Sequence, residues 1–206
     1  MKRLETIVKY INSNDIVADI GCDHGYLLEL CIKNKQIKKG YAIDNKIGPL
    51  NSAKRNLSKY DNIIFKLSDG LKMVDETDIN CVVIAGMGGM LINKIFSDSL
   101  DKFKNINKII VCPNRNMDKV RQFLNDHEFK IVNEDIVYED EKFYEIIIFE
   151  KGKQILTEKE LFFGPILLKD KNEVFKKKWE EYFFKIKDIE NKKEEMKMIK
   201  EVLYEN

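Results

Sequence analysis

The chain has 206 residues, of which 44% are hydrophobic and 34% charged, and its formal net charge is +1. That is enough apolar material for one α/β domain with a small appendage, and so even a balance excludes the global basic field that announces many nucleic-acid binders. No stretch has the length of a membrane span, no signal peptide is read at the start, and the four cysteines (Cys22, Cys31, Cys81, Cys112) show no C-x-x-C spacing. Free buried thiols in a cytoplasmic protein are therefore expected, with no metal and no membrane partner.

A helix is expected at 3–12, where Leu4, Ile7, Val8 and Ile11 share one face. Strand 17–20 leads to helix 26–35, strand 39–43 to helix 48–58, and strand 63–67 to a short helix near 71–73. Strand 80–84 precedes helix 90–98, and strand 108–112 precedes helix 117–126. Strands 129–137 and 143–149 follow, separated by the short acidic linker 138–142. Five β-α repeats closed by a strand pair predict an α/β fold with a seven-stranded mixed sheet, parallel except for an antiparallel hairpin at its edge. Such a hairpin marks the class I, Rossmann-like methyltransferase sheet and is usually missing from dinucleotide-binding sheets.

Past residue 151 the character changes, and the expected domains are 1–152 and 153–206. Leu161-Phe162-Phe163-Gly164-Pro165 is an apolar patch that ends in a helix-breaking pair. From Asn172 on, Phe175, Trp179, Tyr182, Phe183, Ile186 and Ile189 recur at helical spacing, as do Met196, Ile199, Val202 and Leu203. Two amphipathic helices folded into a coiled-coil-like hairpin would bury both stripes; one long dimerising helix is the competitor, and a monomer is expected. The aromatic stripe is read as packing. Lys176-Lys177-Lys178, with Lys169, Lys171, Lys185 and Lys187, can follow a phosphate backbone or form an ordinary solvated face, since Glu180, Glu181 and Asp188 interleave with them.

The chemistry is concentrated at the strand ends. Ala18-Asp19-Ile20-Gly21-Cys22-Asp23-His24-Gly25-Tyr26 closes the first strand in a glycine turn that opens a helix, the place where α/β proteins bind nucleotides. A dinucleotide fingerprint would carry glycine where this chain carries Asp23, and Asp19 adds a second carboxylate. Two anions disfavour a pyrophosphate and favour a cationic ligand, as S-adenosylmethionine is with its ammonium and sulfonium. The plainer reading makes Asp23 a helix cap and Asp19 a turn acceptor. Asp44, followed by Asn45, ends the second strand where an acid can accept both ribose hydroxyls. Ser68-Asp69-Gly70 offers an acceptor for an adenine amino group, and Ile84-Ala85-Gly86-Met87-Gly88-Gly89 lets the backbone approach a ligand closely. The expected cofactor contacts are thus Asp19, Gly21, Asp23, His24, Asp44, Asn45, Asp69, Gly70, Ala85, Gly86 and Met87.

Arg3-Leu4-Glu5, the Ala18–His24 motif, the Ile84–Gly89 turn and Cys112-Pro113-Asn114 together resemble the TrmK family, bacterial tRNA (adenine-22-N1)-methyltransferases. The resemblance covers nearly the whole chain, although Cys112 stands where the family usually has glutamine. It implies a class I methyltransferase domain with a C-terminal helical hairpin, S-adenosylmethionine as methyl donor and tRNA as substrate. Adenine N1 carries a lone pair and can attack the sulfonium methyl in line, so positioning supplies most of the catalysis. Asn114 is the expected contact to the target base, through its amide oxygen and the adenine N6-amine, and Asp23 is the candidate for stabilising the developing positive charge. Simpler roles stay open beside these, a plain turn for Asn114 and cofactor binding alone for Asp23. Recognition of a base inside folded tRNA implies flipping or distortion, with Arg3, Arg115, Lys119, Lys176 and Lys177 as expected RNA contacts. A methyltransferase for another substrate and a nicotinamide-nucleotide module are the competing classes.

Overall fold

The computed structural model describes residues 1–35 and 37–204, so Gln36 and the last two positions of the expected tail lie outside the described residues. Seven strands form one sheet in the order β3-β2-β1-β4-β5-β7-β6. They are β1 (Ile16–Ile20), β2 (Lys39–Asp44), β3 (Ile63–Leu67), β4 (Cys81–Ala85), β5 (Lys108–Cys112), β6 (Phe129–Glu139) and β7 (Lys142–Lys151). The first five run parallel, and β7 inserts antiparallel between β5 and β6. This is the expected Rossmann-like methyltransferase sheet.

Both sheet faces are covered, which is why the central strands read as near-continuous apolar runs. Val17, Ala42, Val83, Ile110 and Ile148 face α1 (Lys2–Lys9), α2 (Tyr26–Lys35) and α3 (Ile47–Leu57). Ala18, Ile43, Ile84, Val111 and Ile147 face α4 (Gly89–Ser97) and α5 (Met117–Asp126). The alternation along each strand assigns the sides. All four cysteines are buried and free. Among the described residues no helix is long and apolar enough to cross a membrane.

Two local expectations are corrected. Residues 71–73 form a turn, not a helix, held by Val74 N donating to Leu71 O at 3.0 Å; three residues between short connections do not nucleate a helix. The linker 138–142 shrinks to the two-residue turn Asp140-Glu141, because β6 and β7 extend through Glu139 and Lys142. Both turn residues have positive φ, 49° and 59°, the geometry that matches strand twist and normally selects glycine or asparagine.

The tail contains more helix than expected. Short helices α6 (Glu158–Phe163) and α7 (Pro165–Asp170) precede α8 (Glu173–Ile186) and α9 (Lys193–Tyr204). Thr157 and Glu160 form a capping box, Pro165 opens α7, and the Asn172 side chain caps α8 by accepting from Phe175 N at 3.0 Å. Phe163, Phe175, Trp179, Ile199 and Val202 share a core with Ile136 of β6. The helical stripes therefore pack against each other and against the sheet edge.

A buried charge network joins tail to sheet. Arg121 of α5, fully buried, bonds Glu134 of β6 at 2.8 Å and Glu145 of β7 at 2.6 Å. Glu145 also pairs with Lys178 of α8, and Glu134 accepts from Ile166 N at 2.9 Å at the start of α7. Lys178 is thereby committed to an ion pair, which corrects its place among the phosphate-following lysines. Gly164, at φ 88°, leaves room for this network: a Cβ there would stand 2.5 Å from the Glu134 carboxylate. Arg121→Ala would leave two buried carboxylates short of their shared partner, at about 3–5 kcal/mol. Urea unfolding is expected to show that loss; a change under about 1 kcal/mol contradicts the network's role.

Candidate active site

The carboxyl ends of β1 to β5 open into one cleft of about 1050 Å³. Its floor is built by the turn after β1. Gly21, at φ 77°, and Cys22 both donate to Ile43 O, at 2.8 and 3.0 Å. The Met87 side chain lies where a Cβ on Gly21 would stand, so no larger residue fits there unless Met87 moves. Asp23 follows at φ 47°, a left-handed conformation that aspartate tolerates better than most residues.

Asp44 ties the neighbouring turns together. Its carboxylate accepts from Lys46 N at 2.9 Å and from Asp23 N at 3.3 Å, and its carbonyl accepts from Ser68 N at 2.9 Å. Each carboxylate oxygen retains lone-pair capacity beyond these bonds. Asp19 and Asp44 are buried, and among the described residues neither has a cation within ion-pair distance. Asp23 is exposed, with His24 Nε2 3.6 Å from its carboxylate, and the His24 ring stacks on Tyr26. Asp69 is paired with Lys72 at 2.7 Å.

Asn114 lies in the same cleft, past the end of β5. Its backbone N donates to Met87 O at 2.8 Å and its Nδ2 to Gly86 O at 2.7 Å. The amide is thus pinned with Oδ1 as its remaining acceptor. Arg3 reaches the cleft from α1, its guanidinium 4.9 Å from the Tyr144 ring centroid. Glu139 of β6 anchors that helix start, accepting from Lys2 N at 2.6 Å and Arg3 N at 3.3 Å.

All eleven residues expected to meet the cofactor line this cleft, as do Asn114 and Arg3. Arg115, Lys119, Lys176 and Lys177 do not line it. Arg115 and Lys119 are exposed, and Arg115 lies against Gly88. Lys176 pairs with Glu173, and Lys177 sits over the Tyr138 ring. Sequence reasoning missed Lys46, Lys142 and Tyr144 as lining residues, and it assigned Tyr182 to packing alone. The 178, 181, 182, 185 spacing on α8 was the available signal for that helix's contribution.

Asp19 carries the electrostatic signature of the floor. Burial first, then the Asp44 and Asp23 charges, push its carboxyl up from 3.8 to about 7. The folded chain then holds a proton that the unfolded chain releases between those pH values, so stability falls as pH rises from about 4 through about 7. Asp19→Asn, neutral throughout, is expected to stabilise the free protein at pH 8 by on the order of a few kcal/mol and to change it little near pH 4. Chemical denaturation at both pH values measures this; an equal effect at both contradicts the buried, raised carboxyl.

The model of the family tRNA (adenine(22)-N(1))-methyltransferase matches residues 17–206. The Bacillus subtilis tRNA (adenine(22)-N(1))-methyltransferase is 34% identical over 187 residues, covering 86% of this chain and 79% of that protein. The crystal structure of a Streptococcus pneumoniae protein in complex with S-adenosyl-L-methionine superposes with a TM-score of 0.94 at 37% identity, over 99% of both chains. Mycoplasma capricolum TrmK, solved with S-adenosyl-homocysteine, gives 0.81 at 29% identity, over 100% of this chain and 95% of that one. With its expected sheet, its strand-end motifs in one cleft and this similarity along nearly its full length, the chain belongs to the TrmK family of tRNA (adenine(22)-N(1))-methyltransferases.

Proposed function

We propose that this chain transfers a methyl group from S-adenosylmethionine to N1 of adenine 22 in tRNA, with the residues of the cleft in the following roles. The observation that carries the reading is the pinned Asn114 amide in the same cleft as Asp19, Asp23 and Asp44. It pairs an acceptor for an amino-bearing base with an acidic floor suited to a cationic donor.

The donor set fits S-adenosylmethionine. Asp44 keeps acceptor capacity for the ribose hydroxyls, and the backbone around Asn45 borders the same space. Asp69 and Gly70 would border the adenine end, and Asp19 and Asp23 would face the ammonium and sulfonium; all four line the cleft. A diphosphate in the same place would meet two unpaired buried carboxylates. When bound, S-adenosylmethionine supplies an electrophilic methyl group.

The chain's own residues then position and screen. Asn114 Oδ1 accepts from the N6-amine of the target adenine and leaves N1, already a free lone pair at neutral pH, aimed at the methyl. No general base is required, because N1 carries no proton to remove. Positive charge develops on the ring as the bond forms, and the Asn114 carbonyl dipole with the Asp23 carboxylate stabilises it. The 153–206 helices act as a substrate-binding appendage of the 1–152 methyltransferase domain.

Radiolabelled methyl transfer to unmodified tRNA transcripts tests the substrate. Incorporation is expected with adenine at position 22 and not with guanosine there; equal incorporation would point to another base or another substrate class. Asn114→Ala is expected to lower turnover roughly tenfold to hundredfold, as loss of one transition-state hydrogen bond does. Its S-adenosylhomocysteine affinity should stay near the parent value. Parent-like turnover would leave Asn114 as a turn residue only.

A further inference from the structure

The cleft sorts its charges by burial. Asp19 and Asp44 are buried and Asp23 is exposed beside them, while Lys46, Lys142 and Lys185, all exposed, and half-buried Arg3 line the same cleft. Among the described residues, none of these four cations has a carboxylate within 4.0 Å. The lysines next to one another on the tail are committed elsewhere: Lys176 to Glu173 at 2.9 Å, Lys177 to the Tyr138 ring at 3.8 Å, and Lys178 to buried Glu145. A phosphate is drawn first to a cation that has no partner to give up.

Two elements place the free lysines. On α8, Lys178, Glu181, Tyr182 and Lys185 recur at the spacing of one helical face, and that face lines the cleft. The Lys178–Glu145 pair anchors it, and Tyr182 Oη donates to Glu195 of α9 at 2.7 Å, which fixes the ring. The second element is the β6–β7 turn. Its register pairs Glu139 with Lys142 directly across the tip, so that Lys142 borders the cleft.

We infer that Lys142 and Lys185 bracket the RNA backbone beside the target nucleotide, and that the Tyr182 ring is the wall on which the extruded base stacks. The inference rests on the RNA-methylation reading above and names the residues that seat that substrate. The charge sorting gives it a reason. Cations attract the phosphates, whereas the acidic floor repels them, so the backbone stays outside and a base enters alone. Glu141 and Glu181, also lining the cleft, narrow the path that phosphates can take between the two lysines. An aromatic ring held by its hydroxyl offers a stacking surface at little conformational cost.

The test compares Lys142→Glu/Lys185→Glu with Lys176→Glu/Lys177→Glu, using an unmodified tRNA transcript bearing adenine at position 22. The first pair is expected to raise the tRNA KM roughly tenfold and to reduce the slope of log affinity against log salt by about one per lost phosphate contact. Its S-adenosylhomocysteine affinity should match the parent. The second pair should change tRNA KM by less than about twofold, since neither lysine lines the cleft. Lys142→Gln and Lys185→Gln, which remove charge without reversing it, should shift KM in the same direction. Tyr182→Leu should lower turnover more than Tyr182→Phe, which keeps the ring but loses the Glu195 bond, and parent-like turnover for Tyr182→Leu overturns the stacking wall. Parent-like KM and salt slope for the Lys142/Lys185 variants, or a larger loss in the Lys176/Lys177 pair, overturns the bracket. A parent enzyme that methylates no tRNA fails the earlier reading instead, and is visible before any variant is made.

Discussion

The site depends on one stitch, made by Ile43 and Asp44 at the end of β2. The Ile43 carbonyl receives two N–H groups from the β1 turn, and the Asp44 carboxylate receives one from that turn and one from its own. The Asp44 carbonyl receives a third strand end, that of β3, through Ser68 N. Three successive loops are thereby locked edge to edge, which holds Asp19, Asp23 and Asp44 together against their mutual repulsion. Burial first, and that repulsion second, raises the Asp19 carboxyl. Such an arrangement lowers the stability of the free protein and prepares the cleft for positive charge, a trade common at binding sites.

Charge is sorted at two further levels. Exposed cations without a carboxylate partner line the same cleft as the buried carboxylates, so one pocket offers fields of both signs. Behind the mouth, Arg121, Glu134, Glu145 and Lys178 bury four charges in a single network. Desolvation makes such a network a weak source of net stability, yet removing one member leaves the others stranded. Its structural consequence is orientation. It determines which face of α8 turns toward the cleft, and the hydrogen-bonded ends of α7 and the Gly164 turn follow from it.

Much of this was legible in the residues. Five apolar runs each followed by an amphipathic segment predicted the parallel sheet, and two adjoining strands predicted the antiparallel edge. Glycine and aspartate at successive strand ends marked the cleft, because a strand's carboxyl end and its turn are local features. What escaped was non-local. Glu145 within Tyr144-Glu145-Ile146-Ile147 was a charge inside an apolar strand, but its partners lie 24 residues earlier in α5 and 33 later in α8. The same distance hid Lys178, which looked like its neighbours Lys176 and Lys177. Helical spacing located the α8 stripe without saying that one side of it borders the cleft. The tip of the β6–β7 hairpin looks like a longer linker in the sequence because Asp140-Glu141 lacks the glycine that usually announces so tight a turn.

The claim on which the account turns is that the carboxylates at the β1 and β2 ends favour a cationic nucleoside and disfavour an anionic dinucleotide. Calorimetric titration of the purified chain with S-adenosylhomocysteine and, separately, with NAD at matched ionic strength measures that preference directly. The account predicts saturable uptake of the first with at least ~100-fold tighter binding, a difference of roughly 2.7 kcal/mol. Equal or tighter binding of NAD would contradict it.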